Sequence, residues 1–126
     1  MLLDLEVNED PRGILAAFDD LTNLPFRLKR FFFIRIQETD VVRGEHASSG
    51  QQLIAVACGA MTADLDDGSK RASVVLKPDR QALHLMPGVW LRMRAFEPGT
   101  VIVVAASQTF AETRYFSAPQ PFADAS

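Results

Sequence analysis

One cysteine, two histidines, one tryptophan and one tyrosine are all that the 126 residues hold of the side chains most often used for redox, metal or aromatic chemistry. Cys58 alone cannot close an internal disulfide. Two histidines and a cysteine with no ligand-like spacing are a thin supply for a metal, so neither metal nor cofactor is expected. There is no excess of positive charge: the formal net charge is -3, which speaks against a general nucleic-acid binder. No apolar run approaches the roughly 18 residues of a membrane-spanning helix. The opening Met1-Leu2-Leu3-Asp4-Leu5-Glu6 lacks the basic and apolar regions of a secretory signal, so the cytoplasm is the expected location. A phosphate-binding Walker loop, GxGxxG, a CxxC pair and a GxSxG elbow are also missing, and with them the common nucleotide, zinc and serine-hydrolase signals.

What the chain does have is an ordinary globular balance, 48% apolar and 23% charged. Its length allows one domain over residues 1–126, able to bury roughly two-thirds of its unfolded surface. Residues 117–126, with two prolines among small and polar side chains, read as a C-terminal arm or frayed tail. Glycine and proline recur at Asp10-Pro11-Arg12-Gly13, Asp66-Asp67-Gly68, Met86-Pro87-Gly88 and Glu97-Pro98-Gly99, cutting the chain into short segments. Those segments alternate with a period of two or are rich in Val, Ile and Phe. Strands are expected at Ile14 to Phe18, Arg27 to Gln37, Gln51 to Cys58, Met61 to Leu65, Lys70 to Leu76, Ala82 to Leu85, Val89 to Phe96 and Val101 to Ala106. Asp67-Gly68 is the best hairpin signal, and no stretch is convincingly amphipathic as a helix. The expected class is all-β, a sandwich, jelly roll or small barrel with two antiparallel sheets.

Two segments hold candidate chemistry. Arg43-Gly44-Glu45-His46-Ala47-Ser48 gathers a guanidinium, a carboxylate and an imidazole that titrates near neutrality. In a regular strand, Gly44, His46 and Ser48 share one face and Arg43 points away from His46. On these residues alone, a solvated Arg43–Glu45 pair beside a half-buried histidine is the plainer reading. In Val89-Trp90-Leu91-Arg92-Met93-Arg94, alternation puts Trp90, Arg92 and Arg94 opposite a core-like face. That face can stack a base or sugar on Trp90 and neutralise a diphosphate with arginine, or it is simply a half-exposed strand. Phe31-Phe32-Phe33 requires cover for at least one ring, in the core or at a subunit interface. His84, among Leu83, Leu85 and Met86, reads as a buried, hydrogen-bonded histidine.

Several segments in order resemble one family: Asp10-Pro11-Arg12-Gly13, Leu24-Pro25-Phe26-Arg27-Leu28-Lys29-Arg30-Phe31-Phe32-Phe33-Ile34, Arg43-Gly44-Glu45-His46-Ala47, Pro87-Gly88-Val89-Trp90, and Phe110, Glu112 and Tyr115. The family is that of nucleotide-sugar 3,4-ketoisomerases of the cupin superfamily, acting on dTDP-4-keto-6-deoxyglucose. The resemblance implies a cupin jelly roll, usually a homodimer, that moves a keto group between C4 and C3 by enediol acid/base chemistry. It casts His46 as the catalytic acid/base, with Arg43, Ser48, Trp90 and Arg92 binding a dTDP-linked keto-deoxysugar. No nucleic-acid or membrane partner is expected. At three positions where the family carries histidine, tyrosine and histidine, this chain has Ser48, Phe33 and Leu91. Two readings follow: an isomerase of that type, and a catalytically altered or inactive cupin that binds a sugar nucleotide, another small molecule or a protein.

Overall fold

The computed structural model describes residues 1–18 and 24–121. Its strands are β1 (Leu2–Asp4), β2 (Glu6–Asp10), β3 (Gly13–Ala17), β4 (Arg30–Arg35), β5 (Arg43–Ser48), β6 (Gln52–Cys58), β7 (Met61–Asp66), β8 (Arg71–Leu76), β9 (Gln81–Leu85), β10 (Trp90–Arg94), β11 (Val101–Ala106) and β12 (Tyr115–Phe116). Among the described residues there is no α-helix. Two five-stranded antiparallel sheets are ordered β1-β9-β6-β11-β4 and β12-β5-β10-β7-β8, and β2-β3 is a separate hairpin. The double sheet with crossing connections meets the expectation of a cupin jelly roll.

Period-two alternation explains why the sheets pack as they do. Ile54 and Val56 on β6, Ile102 and Val104 on β11, Leu83 and Leu85 on β9 line the first sheet's inner face. Met61 and Ala63 on β7, Leu91 and Met93 on β10 and Leu76 on β8 meet them from the second. Each such aliphatic side chain contributes roughly 1.5–3 kcal/mol on burial, which makes the inter-sheet layer the main source of stability.

The expected strands are all present, most with trimmed ends, while β3, β7 and β9 each reach one residue further at one end. The hairpin at Asp67-Gly68 also forms, joining β7 to β8 with Asp66 paired to Arg71. Its loop has four residues rather than two, because the Asp66 carboxylate accepts from Gly68 N and the Asp67 carboxylate from Ser69 N and Lys70 N. Four strands were not among those expected: β1, β2, β5 and β12. β2 reads Glu-Val-Asn-Glu-Asp and is exposed along its whole length, so it carries no apolar alternation. β12 is only two residues long. Of the proposed arm, Ser117, Ala118 and Pro119 line a cleft on the second sheet and Gln120 N donates to Gly88 O at 2.9 Å. Residues 122–126 lie outside the described residues.

The three consecutive phenylalanines divide by face. Phe32 packs against the core, whereas Phe31 and Phe33 lie on the outer face, 63% and 67% exposed.

Candidate active site

The chemistry of β5 depends on an irregularity in its pairing with β10. His46 lies opposite Leu91, but the next pairs are Gly44 with Arg92 and Arg43 with Met93, so Glu45 is an extra residue. Such a bulge reverses the alternation on one side of the insertion. Leu91 and Met93 both point into the core, and residues paired directly across strands share a face. Arg43 and His46 therefore share the inner face, contrary to the expectation for a regular strand. The bulge is built from two left-handed residues, Gly44 at φ 84° and Glu45 at φ 60°. A β-carbon on Gly44 would lie 2.8 Å from the Leu91 carbonyl oxygen, so only glycine fits there.

His46 is half-buried, and the ring of Tyr115 lies against it, centroids 4.6 Å apart at 58°. Burial holds the imidazole below its ordinary pKa, outweighing a hydrogen bond to its own backbone that acts the other way. It is therefore neutral near pH 7 and ready to accept a proton. Tyr115 is paired with Ser48 across β12 and β5, which brings its ring to the face that His46 and Ser48 share. Sequence reasoning gave Tyr115 no role beyond its place in the family resemblance; nothing local signals that a two-residue strand will dock beside β5.

Ser48 is buried, and its hydroxyl donates to Gly50 O at 3.3 Å. Its single proton is thus committed within the turn, leaving lone pairs as the feature it can offer a ligand. Leu91 is a buried core residue facing His46 across the strand pair. Phe33, standing where the family carries tyrosine, sits on the outer face opposite Val103, away from His46. The β4 ring that points inward is Phe32, with the Arg30 guanidinium 4.2 Å above it.

The other sequence candidates fall elsewhere. Trp90 and Arg92 alternate with Leu91 and so lie on the outer face of the second sheet, separated from His46 by the sheet itself. The structure brings Arg43, His46 and Ser48 together and does not bring Trp90 or Arg92 to them. His84 is half-buried; its Nε2 donates to Gln51 Oε1 at 2.8 Å and its ring stacks on Phe26 at 6.0 Å, as expected of a bonded structural histidine. Among the described residues no group of three or more His, Cys, Asp or Glu side chains converges as a metal site would require.

Comparison with known proteins agrees with this architecture. A family model described as FdtA: WxcM-like, C-terminal matches residues 1–126. A TDP-4-oxo-6-deoxy-alpha-D-glucose-3,4-oxoisomerase of Aneurinibacillus thermoaerophilus is 33% identical over 107 residues, covering 84% of this chain and 77% of that protein. The 3,4-ketoisomerase QdtA of Thermoanaerobacterium thermosaccharolyticum, solved as a histidine-to-asparagine variant with TDP-4-keto-6-deoxyglucose, superposes with a TM-score of 0.85 at 25% identity, covering 93% of this chain and 86% of that one. A 3,4-ketoisomerase from Helicobacter canadensis gives 0.83 at 30% identity, covering 93% and 89%. With the family model spanning its whole length and a cupin sandwich that superposes on these enzymes, the chain belongs to the nucleotide-sugar 3,4-ketoisomerase family.

Proposed function

We propose that this protein moves the keto group of a TDP-linked 4-keto-6-deoxyhexose from C4 to C3, with His46 as the acid/base. The observation that carries this reading is the β5 bulge, which turns Arg43 and a neutral His46 to one face. The imidazole takes the proton from C3 while the C4 carbonyl oxygen gains one, giving an enediol. The C3 hydroxyl then loses its proton as C3 becomes the carbonyl, and the imidazolium returns its proton to C4. One base suffices if both carbons present the same face to it.

The oxygens still need a proton donor and acceptor. Ser48 is poorly suited, since its proton is held by Gly50 O. The phenol of Tyr115, on the ring that lies tilted against His46, is a better donor than any serine hydroxyl and is assigned that role. Arg43, exposed at the mouth of the site, anchors the diphosphate through its planar fork of donors.

A homodimer is part of the proposal. The outer face of the first sheet exposes Phe31 and Phe33, and the β2–β3 hairpin is bonded to neither five-stranded sheet while exposing Val7, Ile14 and Leu15. Exposed apolar side chains of this size are what a second copy would cover. The cytoplasm is the proposed compartment, where the exposed free thiol of Cys58 stays reduced.

The test is incubation with TDP-4-keto-6-deoxyglucose in deuterated water, followed by NMR. The expected result is a 3-keto product with His46-dependent deuterium at the carbons that exchange. Binding of the substrate with neither product nor exchange at high protein concentration would overturn the proposal in favour of a ligand-binding cupin.

A further inference from the structure

Trp90, Arg92 and Arg94 line a cleft of about 630 Å³ on the outer face of the second sheet, to which Ser117, Ala118 and Pro119 also contribute. A volume of this size lies within the usual range of small-molecule sites. Strand β10 divides it from the proposed catalytic face: Leu91 points inward opposite His46, and its neighbours point outward.

The polar groups of the cleft are held in place. Asp64, buried on β7, accepts from Arg94 Nε at 2.6 Å and Nη2 at 3.1 Å, from Arg92 Nε at 2.9 Å and from Ser73 Oγ at 2.6 Å. The carboxylate is held well below the usual range, chiefly by Arg94 and then by Ser73 and Arg92. Among the described residues, the side-chain hydrogen bonds of Arg92 and Arg94 go to this one carboxylate. Each guanidinium carries five N–H donors, so Asp64 orients both forks while leaving most of their donors for another acceptor. Two cations on one anion also leave a positive charge unbalanced, while Arg71 and Asp66 at the rim form a pair of their own at 3.3 Å.

Beside this donor-rich patch stands an aromatic platform. The Arg92 guanidinium carbon lies 5.6 Å from the centre of the Trp90 ring, close enough for one ligand to touch both. A flat ring against the indole and a phosphate on adjoining guanidiniums are complementary to these two surfaces. We propose that this cleft is a second ligand site, independent of His46, that binds a nucleoside diphosphate with its base on Trp90 and its phosphates on Arg92 and Arg94.

The chain has a single tryptophan, so tryptophan fluorescence reports on Trp90, which lines this cleft. Thymidine diphosphate titrated into the protein should quench that fluorescence saturably, and equally well in a variant carrying both Arg43→Ala and His46→Ala. Inorganic pyrophosphate should compete with the nucleotide. Arg92→Gln should weaken the quench about tenfold, the scale of a lost charge-assisted contact. Arg71→Ala, a change at an exposed rim residue, should weaken it less and serves as the folded control. Absence of quenching at millimolar nucleotide, its loss in the Arg43/His46 variant, or failure of pyrophosphate to compete would each overturn the proposal.

Discussion

His46 must start as a base, and its burial secures that state. Because its pKa is lowered, protonation sets in only below the ordinary histidine value near 6.5, so kcat/KM should stay on its plateau to lower pH than free imidazole would permit. A pH–rate profile checks this, and His46→Gln should lose about 10²- to 10⁴-fold in kcat, the usual cost of removing a general base. The neighbouring hydroxyls should separate in the same assay. Ser48→Ala removes a hydrogen bond to Gly50 O, so it should cost about 1 kcal/mol in denaturant unfolding and leave kcat nearly unchanged. Tyr115→Phe keeps the ring against His46 but deletes the phenol, and should lower kcat with little effect on stability. Equal losses of kcat in both variants would argue against the division of roles given to them.

At the scale of elements, the decisive feature is the bulge in β5. Gly44→Ala puts a β-carbon against the Leu91 carbonyl at a left-handed residue, so destabilisation of roughly 1–3 kcal/mol is expected, along with lost activity as Arg43 and His46 part. Chemical denaturation alongside turnover measures both. The sequence made much of the fold legible at this scale, because Ile54, Val56, Ile102 and Val104 carry a period-two signal that survives into the core. It also sorted Trp90, Arg92 and Arg94 correctly onto one side of β10. It did not reveal that Arg43 joins His46, since alternation counts residues and a bulge adds one without changing composition. A glycine within a strand pattern was the available hint. Tyr115 was hidden for another reason: a strand as short as β12 gains its place from long-range pairing with β5, which no local window records. The fully exposed, acidic β2 was missed because its partner strand, not its own pattern, makes it a strand.

For the whole molecule, the two sheets divide the labour. The interior carries the packing and the proposed catalytic face, one outer face holds the arginine-lined cleft, and the other presents phenylalanine to the surroundings. If that apolar face joins two copies, Phe33→Asp should shift the protein from dimer to monomer in sedimentation analysis without loss of β-structure by circular dichroism. An unchanged dimer would place the interface elsewhere. The order of strands in the first sheet has a further consequence, one of timing. β11, residues Val101–Ala106, lies between β6 and β4, which are made much earlier. Until β11 itself has been made, those two strands have no partner between them, and the edges of β4 and β6 that face it stand open. Topology of this kind folds slowly and exposes sticky edges on the way. The pairing of β4 and β6 into one sheet thus waits on the late arrival of a single strand.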